Sequence, residues 1–297
     1  MPGLVSVVVP VRDGLPHLAE TLASIQAQTY AQVEVILSDG GSAAPTRAFL
    51  DSLNPDSARP DSARPDSARP AGAHRHLRVV TAPAGAGLAD NWNHATAQAR
   101  GEFIKLVCQD DVLAPDLLAR QVAALQDHPA AGIAVARRDI VDAAGRVIVR
   151  ARGCQGLPGG VVSGQRVLRA CYLRATTVIG EPFAVLFREH VLQAALPWRD
   201  DPPYVIDLDL YARVLPEVDV AIVPGIAGAF RVSPTSLSTR LAADQRRALQ
   251  QWQRATAERL RPPPSGWEQC RAAAAAAIQS WRRQMVYRML QLTRRQP

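Results

Sequence analysis

The segment Phe103–Asp111 has the sequence FIKLVCQDD. Its first six residues, Phe103–Cys108, predict a buried strand, and Asp110 and Asp111 follow this strand almost at once. Open α/β sheets bind their ligands at the carboxyl ends of strands. Two neighbouring ionised carboxylates repel each other, and a divalent cation relieves that repulsion. The segment therefore indicates a metal–diphosphate site in an α/β sheet, with a solvated turn that caps the next helix as the structural alternative.

Strand and helix patterns alternate on both sides of this segment. Short apolar runs predict strands, and apolar residues spaced three to four apart predict helices. The predicted strands are Val5–Pro10, Val33–Ser38 and Leu77–Thr81, and the predicted helices are His17–Gln28, Thr46–Leu53, Leu88–Ala99 and Pro115–Gln126. This βαβαβαβ series predicts an α/β fold of Rossmann-like type, with a mainly parallel central sheet flanked by helices.

The patterns after residue 130 are weaker and mix strands with helices. Predicted there are strands at Gly132–Ala136, Phe183–Phe187, Val218–Val223 and Ala227–Val232, a hairpin over Ile140–Val149, and helices at Val161–Arg174, Asp207–Leu215, Ala242–Arg259 and Trp267–Leu292. The last two helices predict a C-terminal helical extension. We therefore divide the chain into a main domain, 1–240, and a basic helical extension, 241–297.

A short repeat interrupts the first half of the chain. The sequence DSARP occurs three times in succession over Asp56–Pro70. A proline in every five residues can neither continue a helix nor fill a sheet. We expect residues 54–74 to form a disordered surface loop.

Composition and charge limit the classes of protein to consider. The 297 residues are 47% hydrophobic and 21% charged, as in soluble globular proteins. No apolar run is long enough for a transmembrane helix, and the four cysteines lack metal-site spacing, so we expect a cytoplasmic protein. Residues 240–297 contain 12 arginines and three acidic residues, a charge of +9 against +7 for the whole chain, which leaves about −2 for the rest.

The turn after the first strand, Val9–Gly14, has the sequence VPVRDG. It contains neither GxGxxG nor GxxxxGK[ST], the glycine-rich sequences whose backbone amides bind phosphates. A nucleotidyltransferase on a similar sheet would also need a glycine-rich basic loop here. A diphosphate bound at this edge must therefore be neutralised by a metal and by side chains.

Several segments, in order, resemble the landmarks of family-2 glycosyltransferases. They are VSVVVPVRDG followed by the Asp39–Ser42 segment DGGS, GLADNWNHA at Gly87–Ala95, ARGEFIKLVCQDD at Ala99–Asp111, GEP at Gly180–Pro182, DLDLYAR at Asp207–Arg213 and AFRVSPTSLS at Ala229–Ser238. The resemblance covers roughly residues 4–240. It implies a GT-A fold and an inverting transferase that uses a nucleoside-diphosphate sugar. A catalytically silent nucleotide- or glycan-binding relative remains the alternative.

The resemblance also implies which residues bind the donor. Pro10, Val11 and Arg12 would line the pocket for the base, and Asp39 would accept a hydrogen bond from the base. Asn91 would lie near the nucleotide or its diphosphate. The list of donor-binding candidates is completed by Arg231, for contact with the diphosphate, and by Asp110, for the ribose.

The same resemblance implies a metal and a catalytic base. Asp111 would bind Mg²⁺ or Mn²⁺ directly, with Asp110 as a second candidate ligand. Asp207 aligns best with the base that deprotonates the acceptor hydroxyl, ahead of Asp209, which lies about 200° away around the same helix. Two departures weaken the pattern: Ser233 replaces a frequent histidine, and Val205-Ile206 stands where a glutamate often precedes the base.

The implied partners are the donor, of UDP or dTDP type, and a glycan or lipid-linked acceptor, in the synthesis of a bacterial surface polysaccharide or glycan. The extension adds a basic amphipathic helix whose apolar positions are Ile278, Trp281, Met285, Met289 and Leu292. We weigh two roles for it: peripheral contact with the inner face of the membrane, or packing on the main domain or in a homodimer. No nucleic-acid recognition motif accompanies the charge, so we expect no nucleic-acid partner.

Overall fold

The computed structural model describes residues 1–53, 76–202, 204–232 and 245–292, and in its last helix it describes side chains as far as 282 and that of Met285. The predicted loop 54–74 lies wholly outside the described residues. Ser233 also lies outside them.

Ten strands and nine α-helices make up the described part. The strands are β1 Val5–Val11, β2 Val33–Asp39, β3 Leu77–Thr81, β4 Phe103–Leu106, β5 Val112–Leu113, β6 Ala131–Val141, β7 Val147–Arg152, β8 Gly160–Ser163, β9 Val185–Arg188 and β10 Asp219–Arg231. The helices are α1 His17–Gln26, α2 Ala44–Leu53, α3 Leu88–Ala97, α4 Leu117–Asp127, α5 Gly164–Arg174, α6 Glu189–Ala195, α7 Ile206–Val214, α8 Gln245–Ala257 and α9 Gly266–Leu292.

The strands form one sheet in the order β3-β2-β1-β4-β9-β6-β10-β5, with β7 beside β6 and β8 beside β10. Strands β1 to β4 pair in parallel, as predicted, and β6 pairs in parallel with β10. Strand β9 joins the two groups by antiparallel pairing with β4 and β6. Because Val11 is level with Asp39, and Asp39 with Thr81, the carboxyl ends of these strands meet at one edge.

Apolar side chains cover both faces of the sheet. All seven residues of β1 are buried, which is why this strand is a continuous apolar run and does not alternate. On one face, the core includes Leu18, Ile25 and Val122 of α1 and α4. On the other, it includes Trp92, Tyr211 and Trp252 of α3, α7 and α8, so the extension shares its core with the main domain. The division at residue 240 stays a prediction.

Three predictions of local structure were wrong. The first residues of the predicted helix Val161–Arg174 belong to β8, because Val161 and Val162 pair with β10. The two strands predicted at Val218–Val223 and Ala227–Val232 are one strand, β10, which absorbs the intervening Pro-Gly as shifts of register against β6. Helix α6 was not predicted at all. Short apolar runs do not distinguish strand from helix by periodicity alone.

Candidate active site

Asp39 closes strand β2 at the carboxyl-end edge. Its Oδ1 accepts hydrogen bonds from the backbone N–H groups of Gly41, at 3.2 Å, and Ser42, at 2.8 Å. Its Oδ2 lies 4.0 Å from Nε of Arg47. Oδ1 of Asp39 therefore stabilises the turn. Oδ2 is the oxygen that would accept the hydrogen bond that the resemblance assigns to the nucleotide base.

Asn91, on α3, joins the two strands that end here. Its Oδ1 accepts a hydrogen bond from Oγ of Ser38 at 2.7 Å, and its Nδ2 donates to the carbonyl of Val11 at 3.2 Å. A Cβ on Gly40 would lie 2.7 Å from that Nδ2, so glycine is required for the approach. The side-chain amide of Asn91 is thus occupied by the protein, and its predicted contact with the nucleotide stays a prediction.

Gln109 attaches the loop after β1 to the acidic segment. Its Oε1 accepts from the backbone N–H of Arg12 at 2.8 Å, and its Nε2 donates to the Arg12 carbonyl at 2.9 Å. These two bonds imitate the pairing of one strand residue with another. Pro10 and Val11 are buried in β1, whereas Arg12 is exposed beyond it. Sequence reasoning missed Gln109 because nothing in the chain marks a side chain that pairs with backbone.

Asp111 differs from the other described carboxylates in its burial and in its lack of hydrogen bonds. It is fully buried, and neither carboxylate oxygen has a hydrogen-bond partner in the part of the chain that is described. Burial raises the pKa of Asp111 well above its ordinary value, and the charges of Asp110 and Glu181 raise it further. The backbone amide of Arg231 and the guanidinium of Arg138 oppose this shift without closing a hydrogen bond. An unpartnered buried carboxylate is costly unless a ligand completes it.

Asp110 is partly buried beside it. Burial raises the pKa of Asp110, and hydrogen bonding within the residue and the charges of His17 and Arg231 partly offset the shift. For both members of the predicted metal-binding pair, the protein therefore compensates the ionised form only in part.

Arg231, at the end of β10, is only 3% exposed. Its guanidinium forms an ion pair with Glu20 at 2.6 Å and donates to the backbone carbonyls of Asp110 at 3.2 Å and Ala143 at 3.3 Å. These contacts fix the backbone of the Asp pair. The structural ion pair is therefore observed, and direct contact with a diphosphate stays a prediction.

Asp207 and Asp209 have different environments on α7. Asp209 forms an ion pair with Arg213 at 2.7 Å, one helical turn away. Burial of the Cys108 thiol raises its pKa, and the charges of Asp111, Asp110, Asp207 and Glu181 raise it further. Asp207 therefore lies within electrostatic range of Cys108, as the Asp pair does, whereas the carboxylate of Asp209 is held by Arg213.

Glu181 completes this cluster of carboxylates. Both of its oxygens accept hydrogen bonds from Arg138, Oε1 from Nη2 at 2.8 Å and Oε2 from Nε, and Arg138 is almost fully buried. Burial alone would raise the pKa of Glu181, but the charge and hydrogen bonds of Arg138 outweigh it and lower the pKa. The side chain of Glu181 makes no hydrogen bond that caps the short 3₁₀ helix Pro182–Ala184.

The model of the family described as Glycosyl transferase family 2 matches residues 6–190. That range runs from β1 into α6 and includes Asp39, Asp110, Asp111 and Glu181. The chain belongs to this family. The predicted family is confirmed.

Two relatives of this family-2 chain match only parts of it. The O-antigen biosynthesis protein RfbC of Myxococcus xanthus is 31% identical over 143 residues, which are 48% of this chain and 10% of RfbC. An uncharacterized protein of Mycobacterium tuberculosis is 26% identical over 255 residues, 83% of this chain and 72% of the relative. The chain thus spans about a tenth of RfbC, and 13% of an uncharacterized relative from Sinorhizobium fredii.

Solved structures of similar fold cover most of the family-2 chain. TarS 1–349 of S. aureus, in complex with UDP-GlcNAc, has a TM-score of 0.60 at 15% identity, over 94% of this chain and 72% of that one. The mannosyltransferase PcManGT of Pyrobaculum calidifontis, in complex with GDP-Man and Mn²⁺, has a TM-score of 0.56 at 18% identity, over 92% and 74%. These likenesses confirm the predicted GT-A fold.

The residues of this family-2 chain suit a divalent metal. Asp111 offers two buried oxygens without protein partners, and Asp110 offers a second carboxylate beside them. Mg²⁺ in nucleotide enzymes is commonly bound by one or two carboxylates, with substrate phosphates and water completing its coordination. Among the described residues, no three His, Cys, Asp or Glu side chains are grouped to hold a metal by themselves.

Proposed function

We propose that this chain is a metal-dependent, inverting glycosyltransferase that moves a sugar from a nucleoside-diphosphate sugar to an acceptor hydroxyl. The observation that carries the proposal is the buried carboxylate of Asp111, whose oxygens lack partners at the carboxyl-end edge of the sheet. A fold gains nothing from such a group, whereas a cation bound to a diphosphate would compensate its charge.

The donor would lie across the ends of β1, β2 and β4. Pro10, Val11 and Arg12 border the place of the base, and Gln109 holds their loop against the acidic segment through the backbone of Arg12. Asp39 is fixed by the turn that follows it, so its Oδ2, beside Arg47, would be held in place for a donor group of the base. Preformed contacts of this kind reduce the entropy lost on binding.

Asp111 and Asp110 would hold Mg²⁺ or Mn²⁺, which supplies Lewis-acid stabilisation of the leaving diphosphate. The two carboxylates contribute negative charge in a buried position, where a bound cation would offset the free-energy cost of ionising them. Arg231 supports this arrangement by binding the Asp110 carbonyl.

Asp207 would be the base that accepts the proton of the acceptor hydroxyl during in-line attack. It lies within electrostatic range of Cys108, which the Asp pair also affects, and its Oδ1 accepts a hydrogen bond from the N–H of Leu208 at 2.8 Å, which limits its rotation. Asp209 is instead paired with Arg213.

Donor and acceptor are inferred from the relatives. The structure of TarS contains UDP-GlcNAc, and that of PcManGT contains GDP-Man. RfbC is named an O-antigen biosynthesis protein. The complex with UDP-GlcNAc, together with Asp39 at the base, supports a UDP or dTDP sugar as donor. The likeness to RfbC supports a glycan or lipid-linked acceptor in surface polysaccharide synthesis.

Calorimetric binding of UDP, dTDP, GDP and CDP, each with and without Mn²⁺, tests the proposal directly. We expect one nucleotide to bind tightly with the metal and at least about tenfold more weakly without it. Asp111→Asn should abolish the effect of the metal, and Asp209→Asn, the matched control, should retain it.

Absence of binding by all four nucleotides to folded protein would overturn the donor site and favour a silent relative. Binding that ignores both Mn²⁺ and Asp111→Asn would retain the donor and exclude the proposed metal.

A further inference from the structure

Helix α9 exposes a line of large apolar side chains. Trp267 is 69% exposed, Ile278 54%, Trp281 63% and Met285 39%. At 100° per residue, these four positions fall within about 60° around the helix. We call them the outer stripe. Buried apolar surface drives folding, so four large exposed side chains in one line need an explanation.

The opposite side of α9 carries its packing. Ala272, Ala276 and Ser280 are buried there, and α9 contacts α5 and α8. Gln253 of α8 donates a hydrogen bond to the Ala272 carbonyl at 2.9 Å. Helix α9 therefore packs on the main domain through α5, one of the roles weighed from the sequence, but the outer stripe takes no part in that packing.

Positive charge lies beside the outer stripe. Arg271 and Arg282 are exposed at its margin, and the Arg271 guanidinium lies 5.4 Å from the ring centroid of Trp267. The extension 241–297 holds a charge of +8, while the rest of the chain carries −1. Tryptophan prefers the boundary between lipid and water, and arginine is attracted to anionic headgroups.

We propose that the outer stripe docks this protein on the surface of an anionic lipid bilayer, with α9 lying in the plane of that surface. A second copy of the chain is the competing occupant. It is disfavoured because pairing two stripes would bring two extensions of charge +8 together. None of the described helices is both long and apolar enough to cross a bilayer, and surface docking does not require it.

The five tryptophans provide the test. Trp92, Trp198 and Trp252 are buried, whereas Trp267 and Trp281 are exposed, so a blue shift of emission on adding vesicles reports the outer stripe. We expect this shift, and flotation of the full chain, with vesicles of phosphatidylglycerol and phosphatidylcholine. Pure phosphatidylcholine should bind at least about tenfold more weakly, and high salt should weaken binding to the anionic vesicles.

Variants identify the surface. Ile278→Ser combined with Trp281→Ser should reduce vesicle binding at least about tenfold. Ile148→Ser, which alters an equally exposed side chain on β7, should not reduce it. Arg271→Gln should weaken binding to anionic vesicles about fivefold. All three variants should melt at the temperature of the wild type, because the altered side chains are exposed.

Equal binding by the double variant and the wild type would overturn the proposal. So would a dimer of the wild type in light scattering that the double variant abolishes, if no vesicle binding accompanies it. Neither measurement depends on sugar transfer, so this inference stands or falls separately from the proposed function.

Discussion

Glu34 and Asp111 are buried carboxylates at opposite edges of the same sheet. Glu34 lies near the amino ends of β1 and β2, where its Oε1 accepts from Ser6 Oγ at 2.6 Å and from the Arg100 amide at 2.9 Å. Its Oε2 is 3.5 Å from Arg78. Asp111, at the carboxyl-end edge, has no such partner among the described residues.

The difference distinguishes structure from function. At the amino-end edge the protein compensates its own buried charge, and the carboxylate joins strands and loops together. At the carboxyl-end edge the charge is left for something outside the chain. Buried polar groups in native proteins are normally satisfied, so an exception marks a candidate binding site.

Replacing Asp111 should have the largest effect. Asp111→Asn should lower kcat/KM at least about 1,000-fold, since it removes the carboxylate that we assign to the metal. Its stability should not fall, because a buried charge without a partner is removed. Rates of sugar transfer and urea unfolding measure the two effects. If Asp111→Asn retained wild-type activity, Asp111 would have no functional role, and its proposed difference from Glu34 would be wrong.

Asp207 comes next. Asp207→Asn should reduce kcat by about 100- to 1,000-fold and leave nucleotide binding unchanged, as expected for loss of a base. Asp209→Asn is the matched control on the same helix, and it should lose only the ion pair with Arg213, whose side chain is 10% exposed. A larger loss of kcat in Asp209→Asn would reverse the assignment.

Glu34→Gln should show the opposite pattern to Asp111→Asn. It should destabilise the fold by about 2 kcal/mol, since hydrogen bonds to a charged acceptor are lost. The kcat of folded protein should remain that of the wild type. Unfolding in urea, with activity measured per folded molecule, checks both; loss of kcat without loss of stability would contradict the structural role.

Gln109→Ala should have a smaller effect on the donor site. Without the two bonds to Arg12, the loop after β1 is less ordered, so KM for the donor should rise about tenfold. The effect on kcat should be smaller. Gln98→Ala, which alters a side chain at the other edge, serves as control. An unchanged KM would show that Gln109 does not position the loop.

Lys105 gives the smallest effect, a dependence on pH. Its Nζ is fully buried and donates to the carbonyls of Phe183 at 2.7 Å and Val185 at 3.0 Å, and burial lowers its pKa well below 10.5. Between the lowered pKa and 10.5 the unfolded chain binds more protons, so folding stability rises with pH.

Lys105→Met lacks this slope and leaves two carbonyls unpaired. The variant should therefore be less stable by about 1–2 kcal/mol, with a gap from the wild type that widens as pH rises. The midpoints of urea unfolding of both proteins, measured between neutral pH and pH 10.5, give the difference in stability. Tyrosines and cysteines titrate in both proteins, so their contribution cancels in this difference. Parallel curves would contradict the prediction.

The sequence by itself determined the first half of the fold. Continuous apolar runs such as VSVVVP form strands buried on both faces, and helical spacing between them requires a parallel sheet. Asp39, Asp110 and Asp111 were placed at one edge because parallel strands end together. The sequence did not predict β8, or that the two strands predicted within Asp219–Arg231 form the single strand β10. The pairing of β8 with β10 depends on residues distant in the chain.

Only the tertiary structure decided the state of each charged group. Nothing local distinguishes Glu34 from Asp111, or Asp207 from Asp209, since each is a carboxylate beside apolar residues. Their partners, Arg100 and Arg213 among them, come from other segments or other turns of the helix. Burial and compensation of charge arise from the complete packed fold, and so does the exposure of the outer stripe of α9.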